Sequence, residues 1–232
     1  MQHAHMSTSL PTKRPPAVPN RWEGLAVPAA GSAGAAVSVT ALLPRMRREL
    51  LSADRLSAPT VAWMYATYMA HAAALVGFLV APTGRRPARS STITVTGYGL
   101  AAVGAATSVA GMRRFTGTTH VSGMGDDRVV RGGVYAWSRH PQYLGYVALL
   151  SGLACARRSI PAAASATGAA GALAWWVPVE ERHLAALFGG TYQRYLLRTP
   201  RWLGLPAPRS DRGAGPRLRA AVRRASSRRR RG

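Results

Sequence analysis

The sequence contains a single cysteine, Cys155, and only eight acidic residues against 31 lysines and arginines. One cysteine excludes both an intramolecular disulfide and a cysteine-based zinc site. The only histidines close together at metal-ligand spacing are His3 and His5, in a polar N-terminal segment, so we expect no metal. Because acidic residues are so few, the formal net charge is +23. Such an excess favours an anionic partner, either nucleic acid or phospholipid head groups.

Long uncharged runs separate the basic clusters. Residues 24–43, 58–82 and 90–112 contain no charged side chain, and each approaches or exceeds the ~20 residues that cross the hydrocarbon core of a bilayer. The first run is rich in small residues, so a secretory signal peptide is an alternative for it. We predict an all-α, multi-pass membrane bundle with three transmembrane helices over 24–112.

The remaining segments complete the predicted organisation. Residues 1–23 are polar and proline-rich and are expected to form a disordered tail, as is the basic segment 204–232. Between them, residues 113–203 should contain a helical hairpin, with helices over 143–156 and 159–179 and a basic tip at Arg157 and Arg158. An amphipathic helix is predicted from residue 180 to residue 201, because its large apolar side chains recur at helical spacing.

The distribution of basic residues predicts the orientation. With three spans followed by the hairpin, the segments 44–57, 113–142 and 180–232 lie on one side and hold 23 of the 31 lysines and arginines. Because basic segments stay on the cytoplasmic side of a membrane, these segments and the C-terminus are predicted to be cytoplasmic. We expect the protein to lie in the cell inner (plasma) membrane, with its basic tail against anionic lipid head groups rather than nucleic acid.

Two adjacent carboxylates, Glu180 and Glu181, directly follow an apolar run. A carboxylate at the membrane boundary is costly unless it meets a cation, a ligand or water, which favours a functional role. The alternative is that a helix begins here, because acidic residues in the first turn of a helix offset its macrodipole.

A second polar group, Arg139 and His140, precedes the first helix of the predicted hairpin. Pro141 suits the first turn of a helix, so both side chains should lie at its N-terminus. A helix N-terminus next to an arginine and a histidine favours binding of an anion. Alternatively, Arg139 extends to lipid phosphates and His140 is an ordinary interfacial residue.

These residues belong to two longer motifs. The first reads G-x-Y-x-x-x-R-H-P-x-Y-x-G and the second E-E-x-x-L-x-x-x-F-G-x-x-Y-x-x-Y. Their residues are Gly133, Tyr135, Arg139, His140, Pro141, Tyr143 and Gly145, then Glu180, Glu181, Leu184, Phe188, Gly189, Tyr192 and Tyr195. In this order, with an apolar hairpin between them, they resemble the isoprenylcysteine carboxyl methyltransferase and phospholipid methyltransferase superfamily of membrane enzymes. The resemblance extends over residues 111–203.

The resemblance implies an S-adenosylmethionine-dependent methyltransferase with its cofactor held by the two motifs. Arg139 and the helix amides are expected to hold the cofactor carboxylate. One glutamate should bind the ribose hydroxyls or the ammonium while the other meets a cation such as Arg139 or Arg182, because adjacent helical residues point about 100° apart. The implied cofactor-binding residues are Tyr135, Arg139, His140, Pro141, Tyr143, Gly145, Glu180 and Glu181, with His140 and Arg139 as the catalytic residues.

The sequence does not identify the molecule that accepts the methyl group. A lipophilic or small molecule bearing a carboxylate, thiol or amine fits a methyltransferase in a bilayer. Two other functions also fit the pattern. One is a membrane oxidoreductase that resembles sterol reductases and uses a nicotinamide cofactor, and the other is a non-catalytic membrane protein whose basic tail recruits a partner.

Overall fold

The computed structural model describes residues 23–81, 92–114 and 129–205, so most of the predicted tails 1–23 and 204–232 lies outside it. Every regular element in the described residues is helical, which confirms the predicted all-α class. The elements in chain order are α1 (Glu23–Ala53), α2 (Ala58–Val80), α3 (Thr92–Met112), a short 3₁₀ helix (Gly133–Ala136), α4 (Pro141–Arg157), α5 (Ile160–Phe188) and α6 (Gly190–Leu196).

Three of these helices, α1, α2 and α3, are long and apolar enough to cross a membrane. The prediction for the first helix was too short, because α1 continues from the uncharged run through Arg45 and Glu49 to Ala53. The side chains of Arg45 and Glu49 lie one turn apart and form an ion pair with Nε–Oε1 at 3.1 Å. Charged residues therefore extend the helix beyond its apolar part instead of ending it.

A polar cluster joins α1 to α2. Glu49 accepts hydrogen bonds from the Ser57 amide at 2.9 Å, the Ser57 hydroxyl at 3.1 Å and the Thr60 hydroxyl at 2.6 Å. Its carboxylate thus satisfies an amide at the beginning of α2, where backbone N–H groups have no partner within the helix. The cluster holds the two helices as an antiparallel pair.

Helices α3 and α4 approach closely along a row of small residues. A Cβ atom placed on Gly104 would meet the backbone of Gly145 and Leu149, and one placed on Gly97 would meet the backbone of Gly152 and Ala156. Backbones at such short range are typical of membrane helices that pack through small residues. This contact aligns the start of α4 with the end of α3.

Substituting Gly104 by alanine should therefore separate α3 from α4. We expect a loss of about 1–3 kcal/mol, typical of overpacking, measured as thermal unfolding in detergent. Gly99 on the same helix is the matched control, because a Cβ there meets nothing within 4 Å. The Gly99→Ala variant should keep or slightly raise stability, since alanine is the better helix former. Equal effects of the two substitutions would contradict the close α3–α4 contact.

The predicted hairpin is present, but its boundaries differ. Helix α4 begins at Pro141 rather than residue 143, and α5 runs without interruption past Pro178 to Phe188. The amphipathic helix predicted over 180–201 is wrong, because its residues divide among the end of α5, the separate helix α6 and a non-helical segment. At residue 180 the sequence changes from apolar to polar because the environment of the helix changes, and the helix itself continues. It ends at Gly189, whose φ is 50°.

The turn between α4 and α5 lies against the end of α2. Arg157 donates from Nε to the Leu79 carbonyl at 2.9 Å, so its guanidinium caps a carbonyl that α2 leaves unpaired. Because α4 and α5 are antiparallel, the beginning of α4 and residues 180–181 lie together at the opposite end of the bundle. That end also contains the α1–α2 connection, as the predicted topology requires.

Candidate functional site

Arg139 and His140 meet Glu181 at this end of the bundle. The guanidinium of Arg139 donates to Glu181 Oε1 at 2.8 Å, and His140 Nε2 lies 3.3 Å from the same oxygen. The three side chains are 14 %, 2 % and 8 % exposed, respectively. The structure thus joins the two motifs, 41 and 42 residues apart in sequence, in one buried polar cluster, as predicted.

A second arginine, Arg201, completes the cluster and was missed in the sequence. Its Nη2 donates to Glu181 Oε2 at 2.6 Å, and its Nε lies 3.2 Å from each carboxylate oxygen. Arg201 follows Pro200 beyond the last helix, in a segment where arginines are frequent. In the local sequence, the only indication of a functional role for Arg201 is its position next to Trp202. That indication is too weak to distinguish Arg201 from the neighbouring arginines.

The surroundings of Glu181 keep its carboxylate ionised. Burial alone would raise the pKa of Glu181, but hydrogen bonds from His140 and Arg201 and the charge of Arg139 together lower it to about 2. An ionised carboxylate only accepts hydrogen bonds, so His140 Nε2 is the donor in this pair. In the neutral imidazole, Nδ1 is then the nitrogen that can accept a proton.

His140 lies at the first position before α4 and is almost fully buried. Its backbone amide donates to the Ser138 hydroxyl at 3.1 Å. The ring is parallel to that of Tyr143, with centroids 5.6 Å apart, and contacts Trp202 at 6.1 Å. Its Nδ1 lies 3.8 Å from Glu180 Oε2. The imidazole is therefore held between two glutamates, with its faces covered by aromatic rings.

Glu180 faces a different side of α5 from Glu181. Its carboxylate, 23 % exposed, is hydrogen-bonded to the Tyr143 hydroxyl, which also interacts with Trp176. Burial and the nearby Glu180 charge raise the pKa of Tyr143, so its hydroxyl stays protonated and donates. Glu181 meets Arg139, one of the two cations predicted for a glutamate, and the contact predicted between the other glutamate and a cofactor stays a prediction. Arg182 is not the cation, because its guanidinium donates to the Pro178 carbonyl.

The other predicted residues lie around this cluster. Tyr135 is buried and donates to the Gln142 side chain at 2.7 Å, while Pro141 occupies the first turn of α4 as predicted. Gly145 lies at the α3–α4 contact, where an added Cβ would meet Gly104 O and Ser108 N at 2.5 Å. The structure gives Gly145 a packing role, and its predicted contact with a cofactor stays a prediction.

Residues 199–205, the C-terminal strap, run beside the segment that leads into α4. The Arg139 amide donates to the Pro200 carbonyl at 3.0 Å, and the Gly204 amide to the Trp137 carbonyl at 3.2 Å. The Tyr195 hydroxyl adds a bond of 2.8 Å to the Tyr135 carbonyl. These bonds place the strap along one side of the polar cluster.

Two buried nitrogen atoms of the polar cluster are available to a further hydrogen-bond partner. Among the described residues, Arg139 Nε and His140 Nδ1 have no hydrogen-bond partner. Buried polar groups in native proteins are nearly always paired, so these two atoms are candidates for contact with a ligand or a water molecule. A guanidinium N–H suits a carboxylate, and a nearby glutamate suits an ammonium or hydroxyls. The amino-acid part and ribose of S-adenosylmethionine fit this set of donors and acceptors.

Comparison with known proteins agrees with this chemistry. Residues 92–191 match the family model described as phospholipid methyltransferase. The matched segment extends from the beginning of α3 into α6 and contains nearly all of both motifs, whereas α1, α2 and the C-terminal strap lie outside it. No curated protein and no solved structure matches the chain. Residues 92–191, from α3 into α6, are therefore similar to the phospholipid methyltransferase family, which lies within the membrane methyltransferase superfamily that the two motifs predicted.

Proposed function

We propose that the protein is an S-adenosylmethionine-dependent methyltransferase that modifies a lipophilic or small acceptor at the cytoplasmic membrane face. The observation that carries the proposal is the buried contact of Arg139 and His140 with Glu181, 2.8 and 3.3 Å long, at the start of α4. The match to a methyltransferase family supports the same reaction class.

The division between the two glutamates suggests how the cofactor is held. Glu181 is engaged by Arg139 and Arg201, and we assign the ribose hydroxyls or the ammonium group to Glu180, which also accepts from Tyr143. Arg139 Nε is suited to the carboxylate, whereas the Tyr143 and Leu144 amides of α4 already donate to the His140 carbonyl at 3.1 and 3.0 Å. Tyr143 carries an aromatic face beside these groups and is a candidate for cation–π contact with a sulfonium. When bound, the cofactor supplies the electrophilic methyl group.

The chain's own residues would position the acceptor and exclude water. Methyl transfer to a carboxylate or thiolate requires little acid–base chemistry, so alignment and desolvation provide most of the acceleration. An amine acceptor must lose a proton, and His140 Nδ1, 3.8 Å from Glu180 Oε2, is placed to take it. His140 is thus the proposed base for that acceptor class, and Arg139 orients the cofactor.

We propose that the acceptor reaches the site from the bilayer, and the position of the site along the helices supports this route. Helix α4 has 17 residues and rises about 26 Å, less than the ~30 Å thickness of the hydrocarbon core. The charged side chains of Arg139 and Glu181 at its beginning favour a site near the lipid boundary. On α2, Tyr68 is 44 % exposed, and we propose that this lipid-facing surface leads toward the site.

The proposed membrane placement rests on charge. The site lies at the end of the bundle that has most of the basic residues, which favours the cytoplasmic face of the plasma membrane. For the basic tail we propose contact with anionic lipid head groups rather than nucleic acid, because the chain contains three membrane-spanning candidates.

Binding of S-adenosylhomocysteine to the detergent-solubilised protein is the direct test. We expect micromolar binding by calorimetry that NADPH does not compete away. Binding of NADPH alone would instead support the reductase-like alternative, and a protein that binds neither would contradict an enzymatic role. The Arg139→Ala variant should bind much more weakly, since it loses the guanidinium that faces the proposed carboxylate position.

The acceptor can be identified by mass spectrometry of lipids and small thiols from cells that express the chain. A molecule that gains 14 mass units, the mass of an added methylene, only with the wild-type chain would be the acceptor. Cells that express Arg139→Ala are the control, because that variant keeps the membrane helices and their effects on lipid composition.

A further inference from the structure

We propose that Arg201, on the C-terminal strap, is a positioning residue that holds Glu181 so that this carboxylate can in turn hold Arg139 and His140. Arg201 lies outside the segment that matches the methyltransferase family, residues 92–191. The inference rests on the proposed function, because it assigns Arg201 to the cofactor site.

The first argument is the use of the two carboxylate oxygens. Oε1 of Glu181 receives Arg139 Nη1 and His140 Nε2 and also lies 3.2 Å from Arg201 Nε. Oε2 receives only Arg201 among the described residues, with Nη2 at 2.6 Å and Nε at 3.2 Å. A planar guanidinium that donates through two nitrogens defines the plane of a carboxylate. Arg201 thereby fixes where Oε1 points, and Oε1 is the atom that orients both Arg139 and His140.

The second argument is exposure. The side chain of Arg201 is 44 % exposed, against 14 % for Arg139. An ion pair with one half-exposed partner contributes little to folding, because water screens it. Removal of Arg201 should therefore leave the helices folded, and its effect should appear in the geometry of the site.

The third argument is the backbone of the strap. The Arg139 amide binds the Pro200 carbonyl at 3.0 Å, and the Ser138 hydroxyl lies 3.4 Å from the Arg201 carbonyl. The strap is thus attached to residues 138 and 139 themselves. This attachment sets the distance between the two arginines that share Glu181.

The test measures S-adenosylhomocysteine affinity between pH 2 and pH 8 for the detergent-solubilised full-length chain. We expect Arg201→Gln to weaken binding about tenfold, the usual effect of losing a hydrogen bond to a charged group. The acid limb of the profile should move to higher pH, because losing the Arg201 hydrogen bonds lets the pKa of Glu181 rise. Other groups that face Glu181 are Arg139, His140, Tyr192 and Tyr195, with Glu180 adjacent in sequence, and these stay unchanged.

Two further variants separate geometry from charge. Arg201→Lys keeps the charge but loses the planar fork, so it should restore the acid limb and only part of the affinity. Arg198→Gln is the matched control, because Arg198 is exposed and precedes the strap; it should bind as the wild type does. If Arg201→Gln unfolds, the Lys variant decides the question through its reduced affinity.

The outcomes are distinguishable. If the wild type binds S-adenosylhomocysteine and both Arg201 variants keep its affinity and pH profile, the positioning role is overturned. The methyltransferase proposal then stays intact. A wild-type protein that does not bind S-adenosylhomocysteine would overturn the proposed function and, with it, the role of Arg201.

Discussion

Glu181→Ala is expected to lower the free energy of unfolding by about 3–5 kcal/mol and to abolish binding of S-adenosylhomocysteine, because it leaves buried Arg139 without its counter-charge. The carboxylate is 8 % exposed and meets Arg139, His140 and Arg201. Loss of one partner from a buried ion pair costs more than the pair contributes, since the remaining charge stays away from water. Thermal unfolding in detergent and calorimetry measure the two effects.

A double-mutant cycle provides the control for this prediction. Arg139→Met removes the charge that Glu181→Ala leaves behind, so the double variant should be more stable than the sum of the two single losses indicates. Its affinity for the cofactor analogue should not return, because both groups are needed for the site. Fully additive losses of stability would show that Glu181 and Arg139 do not interact as the 2.8 Å contact indicates.

Unlike Glu181→Ala, the Glu180→Gln substitution is expected to change stability little. It should weaken the affinity for S-adenosylhomocysteine 10- to 100-fold. Its carboxylate is hydrogen-bonded to the Tyr143 hydroxyl, and a glutamine oxygen can accept the same bond. Hydrogen bonds to a charged acceptor are stronger than those to a neutral one, by about 1.5–3 kcal/mol against about 1 kcal/mol. The charge should therefore matter for a bound ammonium or ribose, and less for folding.

Tyr143→Phe is the matched variant for Glu180. It removes the phenolic bond to Glu180 but keeps the ring that lies parallel to His140 at 5.6 Å. We expect a smaller loss of affinity than in Glu180→Gln. If Glu180→Gln unfolds the protein or binds with wild-type affinity, Glu180 is a structural residue and the assignment of the two glutamates is wrong.

The separation of roles between adjacent glutamates follows from helix geometry. Successive residues of α5 point about 100° apart, so one carboxylate reaches the cations from α4 and the strap while the other faces Tyr143. Either glutamate could have met Arg139 as far as local sequence is concerned. The rotation of α5 about its axis decides between them, and that rotation depends on packing against α2 and α4.

Much of the architecture was readable in the sequence. Uncharged runs of membrane-spanning length predicted the three spans, because the bilayer core excludes unpaired charge whatever the tertiary fold. The two motifs predicted the family and the meeting of Arg139 and His140 with a glutamate, and Pro141 marked the start of α4. These features depend on composition and short-range spacing, which the sequence contains directly.

Other features were decided only by the tertiary structure. Charged residues extend α1 to Ala53, and α5 continues through residues 180 and 181, because helix ends depend on caps and neighbours that hydrophobicity does not encode. Arg201 joins the site from 20 residues away, through a strap whose path is set by backbone bonds to residues 137–139. A contact of that kind leaves no periodic or local pattern, so three-dimensional packing alone determines that Glu181, rather than Glu180, holds the cations.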